Sequence, residues 1–324
     1  MCGGYRRRVT GEIQLTVRGR REAAEGVVLL ELARPDGSPL PMWAAGAHVD
    51  VVLPGGLGER QFSLCGDPAD RAAWRIGVLL EEDGRGGSAW LHDRSVGDPV
   101  TVRGPSNHFA FQPFPGREYL FVAGGIGITP ISAMVRVAVD AGVEWRLVYA
   151  GRSRRSMAFV DDLVAAHPDR VQVFAADEGA RADVAAVLAE APRAVVYCCG
   201  PARLIAAVEE AAAGRPAGHL HLERFEAKTL GAPVYDAPFE VELLLSGLTV
   251  TVPPERSILE VVEEAGVLAL SSCRVGTCGT CETPIIEGEI DHRDSVLSPE
   301  EQDDNFAMMI CISRAACPRI VLEL

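Results

Sequence analysis

The chain has 324 residues, 48% hydrophobic and 23% charged, which suits a soluble globular protein of two or three domains. No stretch approaches the roughly 20 apolar residues of a membrane helix, no apolar segment follows Arg6-Arg7-Arg8 to make a secretory signal, and a net charge of −14 argues against nucleic acid as a partner. Of nine cysteines, the five at Cys2, Cys65, Cys198, Cys199 and Cys317 show no framework spacing, which points to a reducing cytoplasm.

Residues 8–112 read as β-rich. Short or alternating apolar runs, Ile13 to Val17, Gly26 to Leu30 and Val49 to Leu53, are separated by Pro-Asp-Gly and Pro-Gly-Gly turns, the pattern of a small antiparallel barrel. Arg60-Gln61-Phe62-Ser63-Leu64 places a cation, an aromatic ring and a hydroxyl on one strand, by itself a commonplace pattern. Gly84-Arg85-Gly86-Gly87-Ser88, just ahead of a helix start at Ala89, is a better candidate for holding an anion, because glycines bare the backbone N–H groups and the helix start adds positive potential.

The pattern changes over residues 113–226, where strands alternate with Ala-rich helices as in a doubly wound α/β domain. Strands are expected over Tyr119 to Ala123, Trp145 to Ala150, Val171 to Phe174 and Ala194 to Cys198, with a helix over Ile131 to Ala141. Gly124-Gly125-Ile126-Gly127-Ile128-Thr129-Pro130 joins a strand to a helix and lets a phosphate approach; a tight packing turn is the alternative. Cys199-Gly200-Pro201 ends a later strand at the same carboxyl edge, so the two motifs are expected to flank one nucleotide. Cys199 also reads as a small buried residue.

Residues 227–238, with two prolines and no period, suit a linker. The last segment, 239–324, holds 16 acidic and 5 basic residues, which either solvate a small domain or steer it to a basic partner. Ser257 and Glu260 form a capping-box pattern. Cys273, Cys278 and Cys281 follow C-x4-C-x2-C, with Cys311 30 positions further on. Zinc sites usually pair two short elements, whereas three ligands cluster here and one stands apart, the plant-type arrangement of a [2Fe–2S] cluster.

These motifs, together with Asp291-His292-Arg293-Asp294 and Cys311-Ile312-Ser313-Arg314-Ala315, occur in the order found in the phthalate dioxygenase reductase and vanillate demethylase reductase family, which the chain resembles from about residue 10 to Leu324. The resemblance implies a flavin barrel that binds FMN, a nicotinamide domain and a C-terminal β-grasp ferredoxin domain. It implies that Arg60, Phe62 and Ser63 line the flavin, and that Gly86, Gly87 and Ser88 hold its phosphate. Phe225 would stand against the flavin ring, and Phe62 occupies a position where relatives often carry Tyr. Gly125 and Thr129 would face the NAD pyrophosphate, and Cys199, Gly200 and Pro201 the nicotinamide.

The expected function is electron delivery from NAD(P)H through FMN and the cluster to a terminal oxygenase, of Rieske type ahead of cytochrome P450. A non-catalytic iron–sulfur carrier or redox sensor is the reading from another class. NADH is the expected donor, although Arg154 and Arg155, after the second strand of the nucleotide domain, could also receive the 2′-phosphate of NADPH. No catalytic residue is expected beyond the redox cofactors, nor any membrane partner, and the chain is expected to be a monomer.

Overall fold

The computed structural model describes residues 11–228 and 230–324; the readings at Cys2, at Arg6-Arg7-Arg8, at the first residues of segment 8–112 and at Thr229 lie outside the described residues. The chain divides into two compact units, Met1–Glu223 and Arg224–Leu324.

The first unit opens with six antiparallel strands: β1 (Ile13–Ala24), β2 (Val27–Ala33), β3 (His48–Val52), β4 (Glu59–Ser63), β5 (Trp74–Leu79) and β6 (Pro99–Ser106). They pair in the order β4-β3-β6-β1-β2-β5, and a bridge from Leu64 to Ile76 brings the two edges together. Closure leaves no long open edge. Along β1, Ile13, Leu15 and Val17 point inward, and the strand continues through a bulge near Gly19 well beyond the expected Val17. Leu30, Leu32, Val49, Val51, Trp74 and Ile76 fill the barrel with Leu91 of the short helix α1 (Gly87–His92).

The same unit continues into five parallel strands: β7 (Glu118–Gly124), β8 (Glu144–Gly151), β9 (Val171–Ala175), β10 (Val195–Cys199) and β11 (Leu220–Glu223). Between them run α2 (Ile128–Asp140), α3 (Val160–Ala166), α4 (Val184–Ala189) and α5 (Ala202–Ala211). The order β11-β10-β7-β8-β9 reverses direction between β7 and β10, the crevice where doubly wound sheets hold ligands. Burial on both faces explains the unbroken apolar run of β7: Tyr119 and Phe121 pack into one layer, Leu120 and Val122 into the other. Helix α2 begins at Ile128, three residues before the expected Ile131, because Pro130 falls in its first turn, where a missing N–H costs nothing.

The second unit is a mixed sheet ordered β13-β12-β18-β14-β16. Its strands are β12 (Phe239–Leu243), β13 (Leu248–Val252), β14 (Glu282–Glu287), β16 (Ala307–Met309) and β18 (Arg319–Leu322). Helix α6 (Ile258–Glu264) packs Ile258, Leu259 and Val262 against Phe239, Val241 and Leu322, giving the β-grasp form. The expected capping box is present, with Ser257 and Glu260 bonding each other's backbone N–H. A small ribbon of β15 (Ile290–Asp291) and β17 (Arg314–Ala315), with α7 (Pro299–Asp304) in the intervening chain, completes the unit.

Candidate functional sites

Strand β4 pairs Arg60 with Val51, Phe62 with Val49 and Ser63 with His48 of β3. The pleat sends Arg60 and Phe62 to one face and Ser63, which is buried, to the other. The stem of Arg60 lies against the first residue of α1: a Cβ on Gly87 would stand 2.9 Å from Arg60 Cγ and 2.8 Å from Leu53 Cδ1. Only glycine permits that approach, and it gathers Arg60, Gly86, Gly87 and Ser88 around one turn. Gly86 caps the helix in the left-handed region at φ 84° without covering its first N–H groups, and Ser88 Oγ accepts from Glu81 N at 3.0 Å. Burial, and then the neighbouring Arg85 cation, draw the Arg60 pKa below the usual arginine range. A guanidinium at this turn, with a second cation in the same loop at Arg85, suits an anion.

At the switch point two loops press backbone to backbone. A Cβ on Gly127 would fall 2.3 Å from the carbonyl oxygen of Cys199, and one on Gly200 would fall 3.0 Å from Gly124 Cα. Gly125, by contrast, takes φ 53° with open space beside it, so its backbone is approachable. Thr129 is buried: its hydroxyl donates to Ile126 O at 2.9 Å, and its methyl would lie 2.7 Å from a Cβ on Gly77 of β5. Pro201 caps α5 in extended conformation. Arg154 and Arg155 lie in a one-turn 3-10 segment after β8. Arg154 stands 3.7 Å from Asp161 and 3.9 Å from Glu178, and the Arg155 carbonyl accepts from Glu25 N of the barrel at 2.8 Å.

One residue that sequence reasoning missed stands beside these loops. The register sets Glu223, the last residue of β11, beside Cys199 of β10. Cys199 Sγ donates to Glu223 Oε2 at 3.8 Å, and Ser63 of β4 also hydrogen-bonds to this carboxyl. Burial pushes the Glu223 pKa up to about 8, against the weaker pull of Cys199 and Ser63. Burial, with Glu223 as a second cause, also raises the Cys199 thiol well above its ordinary value. A barrel hydroxyl, a sheet thiol and a carboxyl whose pKa is raised therefore meet beside the switch point. The signal for β11 was faint, since Leu220-His221-Leu222-Glu223 is a four-residue edge strand whose residues are all only half-buried. Phe225 is 43% exposed and belongs to the second unit.

In that second unit the loop after α6 carries Cys273, Cys278 and Cys281, and Cys311 follows β16. Pairing of β14 with β16, with Ile310 N donating to Cys281 O at 3.4 Å, brings the distant fourth cysteine to the other three. All four side chains are buried free thiols. Hydrogen bonding from Cys278 and then Cys311 lowers the Cys273 pKa, which places these three sulfurs side by side. Val275 N and Thr277 N both donate to Cys273 Sγ at 3.4 Å, and Thr280 N to Cys278 Sγ at 3.4 Å. Gly276, at φ 73°, allows this turn, because a Cβ there would strike Ile312 at 2.6 Å. Four buried thiols gathered in one place, with the Cys273 and Cys278 sulfurs receiving backbone N–H bonds, fit the ligand set of a [2Fe–2S] cluster.

The pattern of the 2Fe-2S iron-sulfur cluster binding domain matches residues 241–316, and that of the oxidoreductase NAD-binding domain matches residues 121–210. The phenoxybenzoate dioxygenase subunit beta of Ectopseudomonas oleovorans is 43% identical over 315 residues, covering 96% of this chain and 97% of the relative. Phthalate dioxygenase reductase, described as a modular structure for electron transfer from pyridine nucleotides to [2Fe-2S], matches at TM-score 0.68 and 38% identity over 97% of this chain and 98% of that one. An intact type IV self-sufficient cytochrome P450 monooxygenase matches at TM-score 0.89 and 42% identity, over 97% of this chain but only 41% of that longer polypeptide. No described helix is long and apolar enough to cross a membrane. At such identity over nearly the whole of both chains, with the barrel, parallel sheet and cysteine-bearing β-grasp unit in the same order, the chain belongs to the phthalate dioxygenase reductase family of NAD(P)H-dependent flavin and iron–sulfur oxygenase reductases.

Proposed function

We propose that the chain takes a hydride from NADH onto FMN and passes electrons through a [2Fe–2S] cluster to a separate Rieske-type oxygenase that acts on an aromatic compound. A flavin accepts electrons as a pair and releases them singly, which matches a nicotinamide to an iron–sulfur centre. The observation that carries the reading is the meeting of Ser63, Cys199 and Glu223 at the sheet's switch point, where barrel and nucleotide sheet adjoin.

In this reading segment 8–112 holds the flavin, 113–226 the nucleotide and 239–324 the cluster, with 227–238 as linker. Arg60 and the Gly86-Gly87-Ser88 turn receive the FMN phosphate, while Phe62 and Ser63 border the ring. Gly125 and the Thr129 turn take the pyrophosphate, Cys199, Gly200 and Pro201 the nicotinamide, and Cys273, Cys278, Cys281 and Cys311 the irons. Asp161 and Glu178 beside Arg154 disfavour a 2′-phosphate at the Arg154–Arg155 turn, which supports NADH over NADPH. The free thiols of all eight described cysteines support a reducing cytoplasm.

The Rieske assignment is supported by relatives named for dioxygenases and a demethylase. A P450 acceptor is the second reading, favoured by the TM-score of 0.89. Anaerobic mixing with NADH, followed by coupled turnover with purified oxygenases of both kinds, tests the proposal. Flavin bleaching followed by loss of cluster absorbance, and product formation with the Rieske enzyme, are expected. Absence of flavin reduction would sink the reductase reading, and at least tenfold faster coupled turnover with the P450 would replace the acceptor. Mass spectrometry of the heat-released flavin is expected to show FMN; a dominant FAD peak overturns that assignment.

A further inference from the structure

Two motifs that none of the proposed cofactor contacts uses, Asp291 to Asp294 and Ser313 to Ala315, interlock behind the cysteine loop. Strand β15 pairs with β17, setting Ile290 against Ala315 and Asp291 against Arg314. Asp294 is fully buried: its Oδ1 accepts from Val296 N at 2.9 Å and Leu297 N at 2.8 Å, and its Oδ2 accepts from Ser313 Oγ at 3.4 Å. His292 Nδ1 lies 3.9 Å from that same oxygen. Ser313, also fully buried, accepts from Arg293 N at 3.2 Å.

This knot touches both parts of the thiol set. The residue after Asp294, Ser295, donates its N–H to Gly276 O at 2.8 Å, and a Cβ on Gly276 would lie 3.2 Å from Asp294 Cα. Gly276 is the hinge of the turn that aims Val275 N and Thr277 N at Cys273 Sγ. Ser313 sits two residues beyond Cys311 and receives the Arg293 N–H from the other side. The knot therefore fastens the C-x4-C-x2-C loop to the Cys311 segment through backbone and oxygen contacts.

We propose that Asp294 and Ser313 are positioning residues that hold the N–H···S bonds of Cys273 in place and thereby set how readily the cluster accepts an electron. Donors aimed at thiolate sulfur favour the reduced, more negative cluster, so loosening them lowers its reduction potential. The inference rests on the four-thiolate reading of the site.

The test uses the full-length holoprotein with Ser313→Ala, a small buried change that severs the link but leaves Asp294 and its two turn bonds intact. Asp294→Ala is the harsher companion. Spectroelectrochemical titration should show at least a tenfold shift of the Ser313→Ala equilibrium toward oxidised cluster, 59 mV for one electron. The EPR g-values of the reduced cluster should change, and the peptide spanning Cys273 to Cys281 should exchange amide hydrogens at least tenfold faster. NADH-driven flavin reduction should not change. An unaltered potential, g-values and exchange rate in Ser313→Ala, even with a lower Tm, would reduce the knot to a structural brace and overturn the proposal. Wild-type protein that assembles no [2Fe–2S] spectrum would instead overturn the ligand reading beneath it.

Discussion

Glu223 has an environment that changes its chemistry. The unfolded chain releases this proton around pH 4.5, whereas burial keeps it on the folded protein until about 8. Between those values the native state binds more protons than the unfolded one, so stability falls as pH rises through the window. Glu223→Gln should remove that slope. In urea melts the variant should match wild type at pH 5 and exceed it by ~1–3 kcal/mol at pH 8; parallel curves at both pH values would show that the carboxyl is not held protonated. At the cluster, serine in place of Cys273, Cys278, Cys281 or Cys311 should abolish the absorption between ~330 and 460 nm expected of a [2Fe–2S] centre. Flavin reduction by NADH should survive, and retention of the bands in all four variants would reject the ligand set. The cysteines could be read from the sequence because spacing alone encodes them. Glu223 could not, because its role comes from a neighbour 24 positions earlier, Cys199, and from Ser63 on a strand of the barrel.

Among the elements, the Gly124–Thr129 turn is the most exacting. Gly127→Ala would drive a methyl carbon into the Cys199 carbonyl at 2.3 Å. Overpacking against backbone leaves no rotamer to escape into, so a loss of about 2–4 kcal/mol is expected, together with at least a tenfold rise in KM for NADH. Gly125→Ala faces no such clash, but its φ of 53° strains any side chain, and a smaller loss is expected there. Thermal melts and steady-state kinetics on the two variants check this ranking. In the sequence the turn's glycines read either as a phosphate approach or as a tight packing turn; that Gly127 packs on the Cys199 loop became visible only once β7 and β10 were seen as neighbours. Strand β7 could be read because burial on both faces leaves an unbroken apolar run, whereas β11, half-buried at the sheet edge, leaves no such trace.

For the whole molecule, charge is segregated: residues 239–324 contain 16 acidic against 5 basic side chains. If this field steers an acceptor, the second-order rate of cluster oxidation by the oxygenase should fall roughly tenfold as salt rises from low to about 0.5 M, because screening shortens the reach of exposed charge. The NADH-to-flavin step, which needs no docking of a second protein, should change far less. A salt-independent acceptor rate would return the carboxylates to plain solvation. The order of barrel, parallel sheet and β-grasp unit was legible because each segment has its own period and motif; the acceptor was not, because no motif in these residues specifies which oxygenase takes the electrons.

The compact units part immediately after Glu223. Everything that meets at the switch point, Ser63, Cys199 and Glu223, is therefore inherited together, and everything that ligates the irons is inherited separately. A crossover between homologous genes at that seam would exchange the electron outlet while leaving the fuel inlet untouched. A chimera joining residues 1–223 of this chain to the C-terminal unit of a relative should keep this chain's nucleotide preference and adopt the relative's oxygenase. Lineages of such reductases could then acquire new clients by recombination, without re-evolving their hydride chemistry.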